Sequence, residues 1–424
     1  LTQEDCQVYA TYPKDDWYHK YYYDMRKVVW NCARCSVCKW IDSWEVKDPR
    51  FAKVCPSHHR YLFDAYSCQG RMDITLALLD GRLSPDTAPK MLDVVYKCNT
   101  CGGCDASCKR NQDMEPLRVM LDMRAMLVEE GQLLPQHMPV VESLKREDNT
   151  MMGKKADRGK WAEGLSVKDA TQEQCDVIFH AGCEISFDEE QWEMARGAVT
   201  LLQDIGLDLG IMGKDETCCG CKMYDMGYRG EFVKYAESNM DAWRNAGAKT
   251  IVTTCADGYY AFKRLYPEIG SKFQAVHMVE LLDQLIKDGK LKFTKPVNMK
   301  VTWHDPCHMG RRDNDRIYEP GKAIMGLYDQ PRNILNAIPG VDFVEMYRIK
   351  EYAWCCGAGG GVREAYPDFS QWTAIERIKE AQAVGAEAIV TACPWCERAF
   401  LDANLEMGAG MKVLDISELV RMAI

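Results

Sequence analysis

Cysteine is the residue whose spacing carries chemistry in this chain. Cys32, Cys35, Cys38 and Cys55 form one group, and Cys98, Cys101, Cys104 and Cys108 form a second. Cys307, the pair Cys355-Cys356, and Cys393-Pro-Trp-Cys396 form a third group of different pattern. Thiolates are soft ligands, and these thirteen at metal-binding intervals point to iron–sulfur clusters and electron transfer. Residues 98–108 have the C-x2-C-x2-C-x3-C spacing of a ferredoxin that holds cubane clusters. In two-cluster ferredoxins the fourth cysteine of each run serves the other cluster. One cubane [4Fe-4S] cluster is therefore expected on Cys32, Cys35, Cys38 and Cys108, and the other on Cys98, Cys101, Cys104 and Cys55, with Cys55-Pro56 supplying a ligand after an insertion. Two self-contained runs are the alternative. Zinc also takes four thiolates, but two triplets with two-residue gaps disfavour it. Gly102 and Gly103 leave room for backbone amides to approach cluster sulfurs.

The elements that must hold these loops are helical in the first third. Apolar periodicity predicts helices over 72–83 and over 115–130, the second opened by Pro116. Arg118 and Arg124 read as helix charges facing water. Cys68 reads as a buried free thiol near a cluster, Cys6 and Cys175 as incidental, and His58 and His59 as surface residues. The polar run 145–160 reads as a domain linker.

Beyond it the chain repeats. Residues 246–255 (AGAKTIVTTC) align with 384–393 (VGAEAIVTAC), identical at six of ten positions. Cys218-Cys219-Gly220 matches Cys355-Cys356-Gly357, and the run ending at Cys183 matches the run ending at Cys307. Short apolar runs precede each cysteine group, and helix-like stretches such as 189–206 and 371–385 intervene. This alternation predicts an α/β layer in each half with thiols at the strand ends, where open α/β sheets gather ligands. The second half offers Cys307, Cys355, Cys356, Cys393 and Cys396, five thiols where a cube needs four. A larger or less symmetric centre is implied. The first half keeps Cys183, Cys218, Cys219 and Cys255 as candidate metal ligands, with Gly258 at the position of Cys396. Cys221 and Asp257 lie near enough to compensate. An altered cluster, a conventional cube and no cluster all remain open there.

His304, Asp305 and His308 bracket Cys307. A histidine beside a cluster donates a hydrogen bond or carries a proton with the electron, so His304 and His308 join the catalytic candidates. Trp354 and Trp395 flank the cysteines and are expected to keep water away. Arg311, Arg312 and Arg316 either greet an anionic substrate or partner or form a solvated loop. The run Gly357-Ala-Gly-Gly-Gly361 permits close backbone packing and lacks the Lys-Ser/Thr of a phosphate loop.

The chain has 424 residues, 47% hydrophobic, enough for two or three domains. Its net charge of -10 argues against nucleic acid. No apolar run is long enough to span a membrane, and the opening Leu-Thr-Gln-Glu-Asp lacks the pattern of a signal peptide. Twenty-one cysteines in a chain this long suit metal-bound thiolates in a reducing, cytoplasmic setting better than a disulfide scaffold.

On His304-Asp-Pro-Cys307, Cys355-Cys-Gly-Ala-Gly-Gly360 and Cys393-Pro-Trp-Cys396, the second repeat resembles the cysteine-rich CCG domain of the heterodisulfide reductase catalytic-subunit family. That resemblance implies a noncubane [4Fe-4S] cluster on Cys307, Cys355, Cys356, Cys393 and Cys396, and disulfide reduction there. The fusion of a two-cluster module to both repeats is similar to the fused D-type member of that family. It is also similar to the iron–sulfur subunits of glycolate and lactate oxidases, as is the segment Cys68-Gln-Gly-Arg-Met-Asp73, and to subunits of class II benzoyl-CoA reductase complexes. The split first motif and Gly258 depart from the pattern.

The expected fold is α/β: a helical two-cluster ferredoxin-like module (1–145), a first, degenerate cysteine-rich domain (146–295) and a second, intact one (296–424). The expected function is an oxidoreductase relay from cubane to cubane to the noncubane site. The alternative is a purely electron-transferring subunit linking a flavoprotein to another redox partner. No flavin or nicotinamide motif is present, so partner redox subunits of a multi-subunit complex are expected, a membrane subunit among the candidates, together with a small-molecule disulfide.

Overall fold

A computed structural model describes residues 25–111, 114–313 and 326–424. Cys6 and Arg316 lie outside the described residues.

Before residue 168 the described residues are helical, with a single antiparallel bridge between Trp40 and Lys53. Pro56 and Pro116 stand in the first turns of helices Pro56–Tyr61 and Pro116–Glu129, where a missing N–H costs nothing. The helix expected over 72–83 instead runs Cys68–Leu79, because the Ser67 hydroxyl caps it by accepting from Gly70 N at 3.2 Å. Cys68 therefore lies in its first turn. Val119, Met120, Met123 and Leu127 of the second helix pack against Met72, Leu76 and Leu79 of the first. This small core sets the platform for the cysteine loops.

The run 145–160 is not a solvated linker. Helix Met138–Glu147 reaches into it, Asn149 is buried, and Arg158 is fully buried on Glu216 at 2.8 Å. Its polar residues bond inward, which composition alone does not reveal.

Each repeat then builds a parallel sheet. The strands are β1 (Lys168–Asp169), β2 (Val177–Phe179), β3 (Leu209–Ile211), β4 (Thr250–Thr253) and β5 (Gln274–His277), then β6 (Met299–Trp303), β7 (Val341–Val344), β8 (Ala388–Thr391) and β9 (Lys412–Asp415). The sheet orders are β1-β3-β2-β4-β5 and β7-β6-β8-β9, so the second repeat reproduces the first without its edge strand. Every pairing is parallel. Runs such as Val177-Ile-Phe and Ile389-Val are apolar throughout because helices cover both faces. Those helices include Trp192–Asp204 and Arg229–Asn245 in the first repeat, and Pro367–Ala383 and Pro394–Met407 in the second. The register repeats as well: His180 N donates to Val252 O, and His304 N donates to Val390 O, both at 2.8 Å. One core runs through both repeats, joining Phe179, Val199 and Leu282 to Val301, Trp303 and Ile378. The chain is an α/β protein with a helical N-terminal part and a duplicated sheet unit.

Candidate metal centre

Strand order fixes where the thiols meet. In each sheet the chain leaves the central strand toward one edge and returns to its other side, which opens a crevice at the carboxyl ends of β2 and β4, and of β6 and β8. Cys183 and Cys255 follow the first pair, and Cys307 and Cys393 follow the second. The Cys-Cys pairs enter from the segments after β3 and β7.

In the second repeat Cys355, Cys356, Cys393 and Cys396 are buried and Cys307 is half-buried. Cys356 hydrogen-bonds to Cys355 and Cys396, and Cys396 to Cys393. Cys307 lies in the electrostatic field of both Cys355 and Cys356. Hydrogen bonds from Cys355 and Cys396 draw the Cys356 thiol down to about 6. Burial, with the bonds to Cys356 and Cys393, pushes Cys396 well above the usual thiol range. Ionised sulfur inside a dry interior is what a metal centre both needs and neutralises. Gly357 N donates to Cys355 Sγ at 3.3 Å, a backbone amide aimed at a candidate ligand.

The two histidines stand in opposite electrostatic settings. His304 groups with Cys356 and Cys396, its ligand-capable nitrogen and their sulfurs within 4.8 Å. Burial, then Arg377, holds its pKa well below the usual value. Arg377 Nε donates to His304 Nδ1 at 3.2 Å, so the proton of the neutral ring sits on Nε2. Around His308, burial and Arg312 oppose charge, but Asp257, Cys307 and Cys221 outweigh them and raise its pKa well up. Its Nδ1 lies 3.1 Å from Asp257 Oδ1 and 3.4 Å from Cys307 Sγ.

The first repeat gathers its thiols too. Cys183 hydrogen-bonds to Cys218 and Cys218 to Cys219, while Cys255 lies in the field of Cys219. Gly220 N donates to Cys218 Sγ at 3.4 Å, matching Gly357 and Cys355. Arg158 lies 3.6 Å from Cys183 Sγ. Cys221 hydrogen-bonds to His308 of the other repeat, so Cys221 and Asp257 both turn to that ring. Cys221, Asp225 and His308 also form a compact buried group. Arg312 already bonds Asp225 at 2.6 and 2.8 Å and His308 at 2.6 Å, so a cation is in place there and the group is an ion-paired cluster. Cys255 and Cys393 hydrogen-bond across the repeat boundary.

In the helical part Cys55 lies in the field of Cys98 and Cys101, and Cys108 in that of Cys104 and Cys38. Cys32 neighbours Cys38, and Cys35 is exposed. Cys68, buried, hydrogen-bonds to Cys38 and to Cys104, one thiol from each expected set. Cys101 hydrogen-bonds to Cys355, bringing the second set against the C-terminal one.

That last contact is tightly made. Asn99 Nδ2 donates to Gly357 O at 2.8 Å. A Cβ on Gly359 or Gly360 would sit 2.7 Å from Asn99 O or Cys98 O, so the glycine run packs against the 98–101 loop. Arg124 is not a water-facing charge: it is fully buried and donates to Cys98 O, Asp225 O and Gly360 O. Arg311 and Arg312 are likewise buried, at 9% and 6% exposure, so they neither form a solvated loop nor stand free for an anionic partner. His58 is buried and His59 packs against Trp354 and Trp372, so neither is a surface residue. Trp354 is fully buried, and Trp395 is buried beneath Lys222 at 3.5 Å. None of these partners lies within sequence reach of its donor. The only local signal was the density of glycine and arginine around the cysteines.

All-sulfur donor sets, mutual contact between buried thiols and backbone amides directed at them fit iron–sulfur clusters better than a hard cation. Comparison with known proteins agrees. A family model described as a cysteine-rich domain matches residues 177–263 and 301–400. The D-type subunit of dihydromethanophenazine:CoB–CoM heterodisulfide reductase from Methanosarcina mazei is 33% identical, covering 93% of each chain. EtfAB:quinone oxidoreductase of Syntrophomonas wolfei is 29% identical over 78% of this chain and 47% of its own. The B-type subunit of a fumarate reductase (CoM/CoB) from Methanothermobacter marburgensis is 29% identical over 78% of this chain and 61% of its own.

Proposed function

The chain belongs to the D-type heterodisulfide reductase family of iron–sulfur oxidoreductases, and from that membership we propose that it relays electrons through two cubane [4Fe-4S] clusters to a noncubane [4Fe-4S] site where a small organic disulfide is reduced. The observation that carries this reading is a line of sulfur contacts across the molecule: Cys38–Cys68–Cys104, then Cys101–Cys355, then Cys356–Cys396. The first cubane takes Cys32, Cys35, Cys38 and Cys108. The second takes Cys98, Cys101, Cys104 and Cys55. The position of Cys55 beside Cys98 and Cys101 supports this exchange of fourth ligands, and Cys108 stands in the field of both Cys104 and Cys38. The noncubane centre takes Cys307, Cys355, Cys356, Cys393 and Cys396. Cys183, Cys218, Cys219 and Cys255 are a further thiol set able to hold an iron–sulfur group. The corresponding units are 1–145, 146–295 and 296–424.

Splitting a disulfide into two thiols consumes two electrons and two protons, whereas each cubane passes one electron at a time. When bound, the C-terminal cluster supplies a Lewis-acidic iron for a substrate sulfur and storage for the first electron. His308 holds a proton beside Cys307, the least buried ligand of that set. Neutral His304 stands beside Cys356 and Cys396. No described helix is long and apolar enough to cross a membrane, and electrons arrive from redox partner subunits, a flavoprotein among them. The thiol-rich ligand sets suit a reducing cytoplasm.

Burial of Cys355, Cys356, Cys393 and Cys396 favours a second reading, an electron conduit with no substrate of its own. Anaerobic EPR with iron and sulfide counting separates the two. Three clusters give about twelve irons and as many sulfides per chain. An oxidised C-terminal signal that changes on adding a thiol supports catalysis. A signal indifferent to thiols supports the conduit, and zinc without labile sulfide ends both.

A further inference from the structure

Arg311 stands where two of these ligand sets meet. It lies four residues after Cys307 and is buried. Its Nε donates to Cys101 O at 2.6 Å, and its Nη1 donates to Ala353 O at 2.5 Å and Glu351 O at 3.0 Å. One planar group thus grips the backbone of a second-cubane ligand and the backbone two residues before Cys355. Each of these bonds ends on a carbonyl and none on a carboxylate. The negative charge facing this buried cation comes from sulfur: burial works to lower its pKa, and Cys101, Cys307 and Cys355, with Tyr328, outweigh burial and raise it.

We propose that Arg311 is the positioning residue for the electron handover from the second cubane to the C-terminal centre, and that the handover runs through the Cys101–Cys355 contact. This rests on the ligand assignment proposed above. In the step the second cubane is oxidised by one electron and the C-terminal centre reduced by one; no bond or proton is exchanged. Transfer between centres falls steeply with their separation, so a side chain that sets the separation sets the rate. The guanidinium is suited to this because its donors form a rigid fork, whereas lysine would keep the charge and lose the geometry. The neighbouring bond from Asn99 to Gly357 and the seat of Gly359 and Gly360 on the 98–101 loop hold the same contact without adding charge.

The test uses Arg311→Met and Arg311→Lys in the full-length, metal-loaded protein prepared without oxygen. Iron and labile sulfide are counted first. The cubanes are then reduced with limiting dithionite, and arrival of the electron at the C-terminal centre is followed by freeze-quench EPR. Amide hydrogen exchange at residues 98–103 and 353–357 is read in parallel. Arg311→Met is expected to retain its metal, slow the handover by about tenfold or more and speed exchange in both segments. Arg311→Lys is expected to slow it less. A wild-type rate in either loaded variant overturns the proposal. Loss of metal from both variants also overturns it, because Arg311 would then assemble one centre rather than align two. A wild-type protein without labile sulfide, by contrast, defeats the underlying ligand assignment and is recognised before any variant is made.

Discussion

The two repeats share a backbone plan and differ in a few side chains at one place. Both put a histidine at the end of the central strand, a thiol three residues later, a Cys-Cys-Gly turn after the next strand and a thiol after the third. Both Cys-Cys-Gly turns aim a glycine amide at the first sulfur. The second repeat then adds Cys396, where the first has Gly258, and the first adds Cys221, where the second has Ala358. The fifth thiol thus opens helix Cys221–Met226 instead of lying in the first turn of a helix such as Pro394–Met407, and from there it faces His308 across the boundary. The two copies share a scaffold and divide their side chains: one holds the five-thiol set, and the other sets Cys221, Asp225 and Asp257 around His308.

The largest expected effect follows from breaking that difference at its source. Cys393→Ser is expected to remove the C-terminal cluster, lowering iron by about four per chain and turnover by more than about a hundredfold. The matching Cys255→Ser is expected to leave the C-terminal EPR signal in place. If Cys255→Ser loses that signal too, the contact of Cys255 with Cys393 couples the two thiol sets and the division is wrong. The converse experiment sharpens it. A Cβ on Gly258 would meet Phe262 and Thr253 at 3.4 and 3.5 Å, ordinary contacts, so Gly258→Cys is sterically accommodated. It is expected to raise iron binding by the first repeat, measured as metal per chain. No gain in metal would show that a fifth thiol alone does not decide between the copies.

How much of this was legible in the sequence follows the range of the interactions. Strand, helix and cysteine order are written locally, and the repeat was visible because the stretches 247–255 and 385–393 each carry a turn, a buried run and a closing thiol. Arg311, Arg312 and Arg124 read as solvated because a charged residue is rarely buried unless paired, and their partners lie up to 236 residues away. Cys68 had no ligand spacing, so nothing local marked it as the link between two thiol sets. The run 145–160 misled for the same reason, since Arg158 meets Glu216 only in the folded chain.

Next in size is the support beneath each cysteine loop. In the first repeat Glu216 accepts from Ala181 N and Gly182 N at 2.9 Å and pairs with Arg158. In the second, Asp305 accepts from Lys350 N at 2.8 Å and pairs with Arg332. Removing one partner of a buried pair strands the other charge, which costs about 3–5 kcal/mol. Arg158→Met is therefore expected to lower the denaturation midpoint more than Arg332→Met. Arg332 has a second carboxylate, Glu345, that is partly exposed and draws water to the pair. Equal losses in chemical denaturation would mean that burial is not what separates the two clamps.

The smallest expected effect, and the most selective, is an opposite response of the two repeats to acid. Helix Met278–Lys287 is capped by His277, whose Nδ1 accepts from Val279 N at 3.2 Å, while helix Ile416–Ala423 is capped by Asp415, which accepts from Ser417 N at 2.8 Å. Burial lowers His277 to about 4, against an ordinary value of 6.5. The unfolded chain then binds the proton first, so this cap is intact above pH 6.5 and weakens as pH falls toward 4. Burial raises Asp415 to about 7, against 3.8. Here the folded chain binds the proton first, so stability grows as pH falls from 7 toward 3.8. Each shift amounts to at most about 3–4 kcal/mol, and in a global melt the two largely offset each other. Hydrogen exchange resolves them: between pH 7 and 5, after correction for the intrinsic rate, protection should fall along 278–287 and rise along 416–423. Parallel changes in the two helices would show that equivalent positions capped by histidine and by aspartate titrate alike, and that the repeats do not differ in this respect.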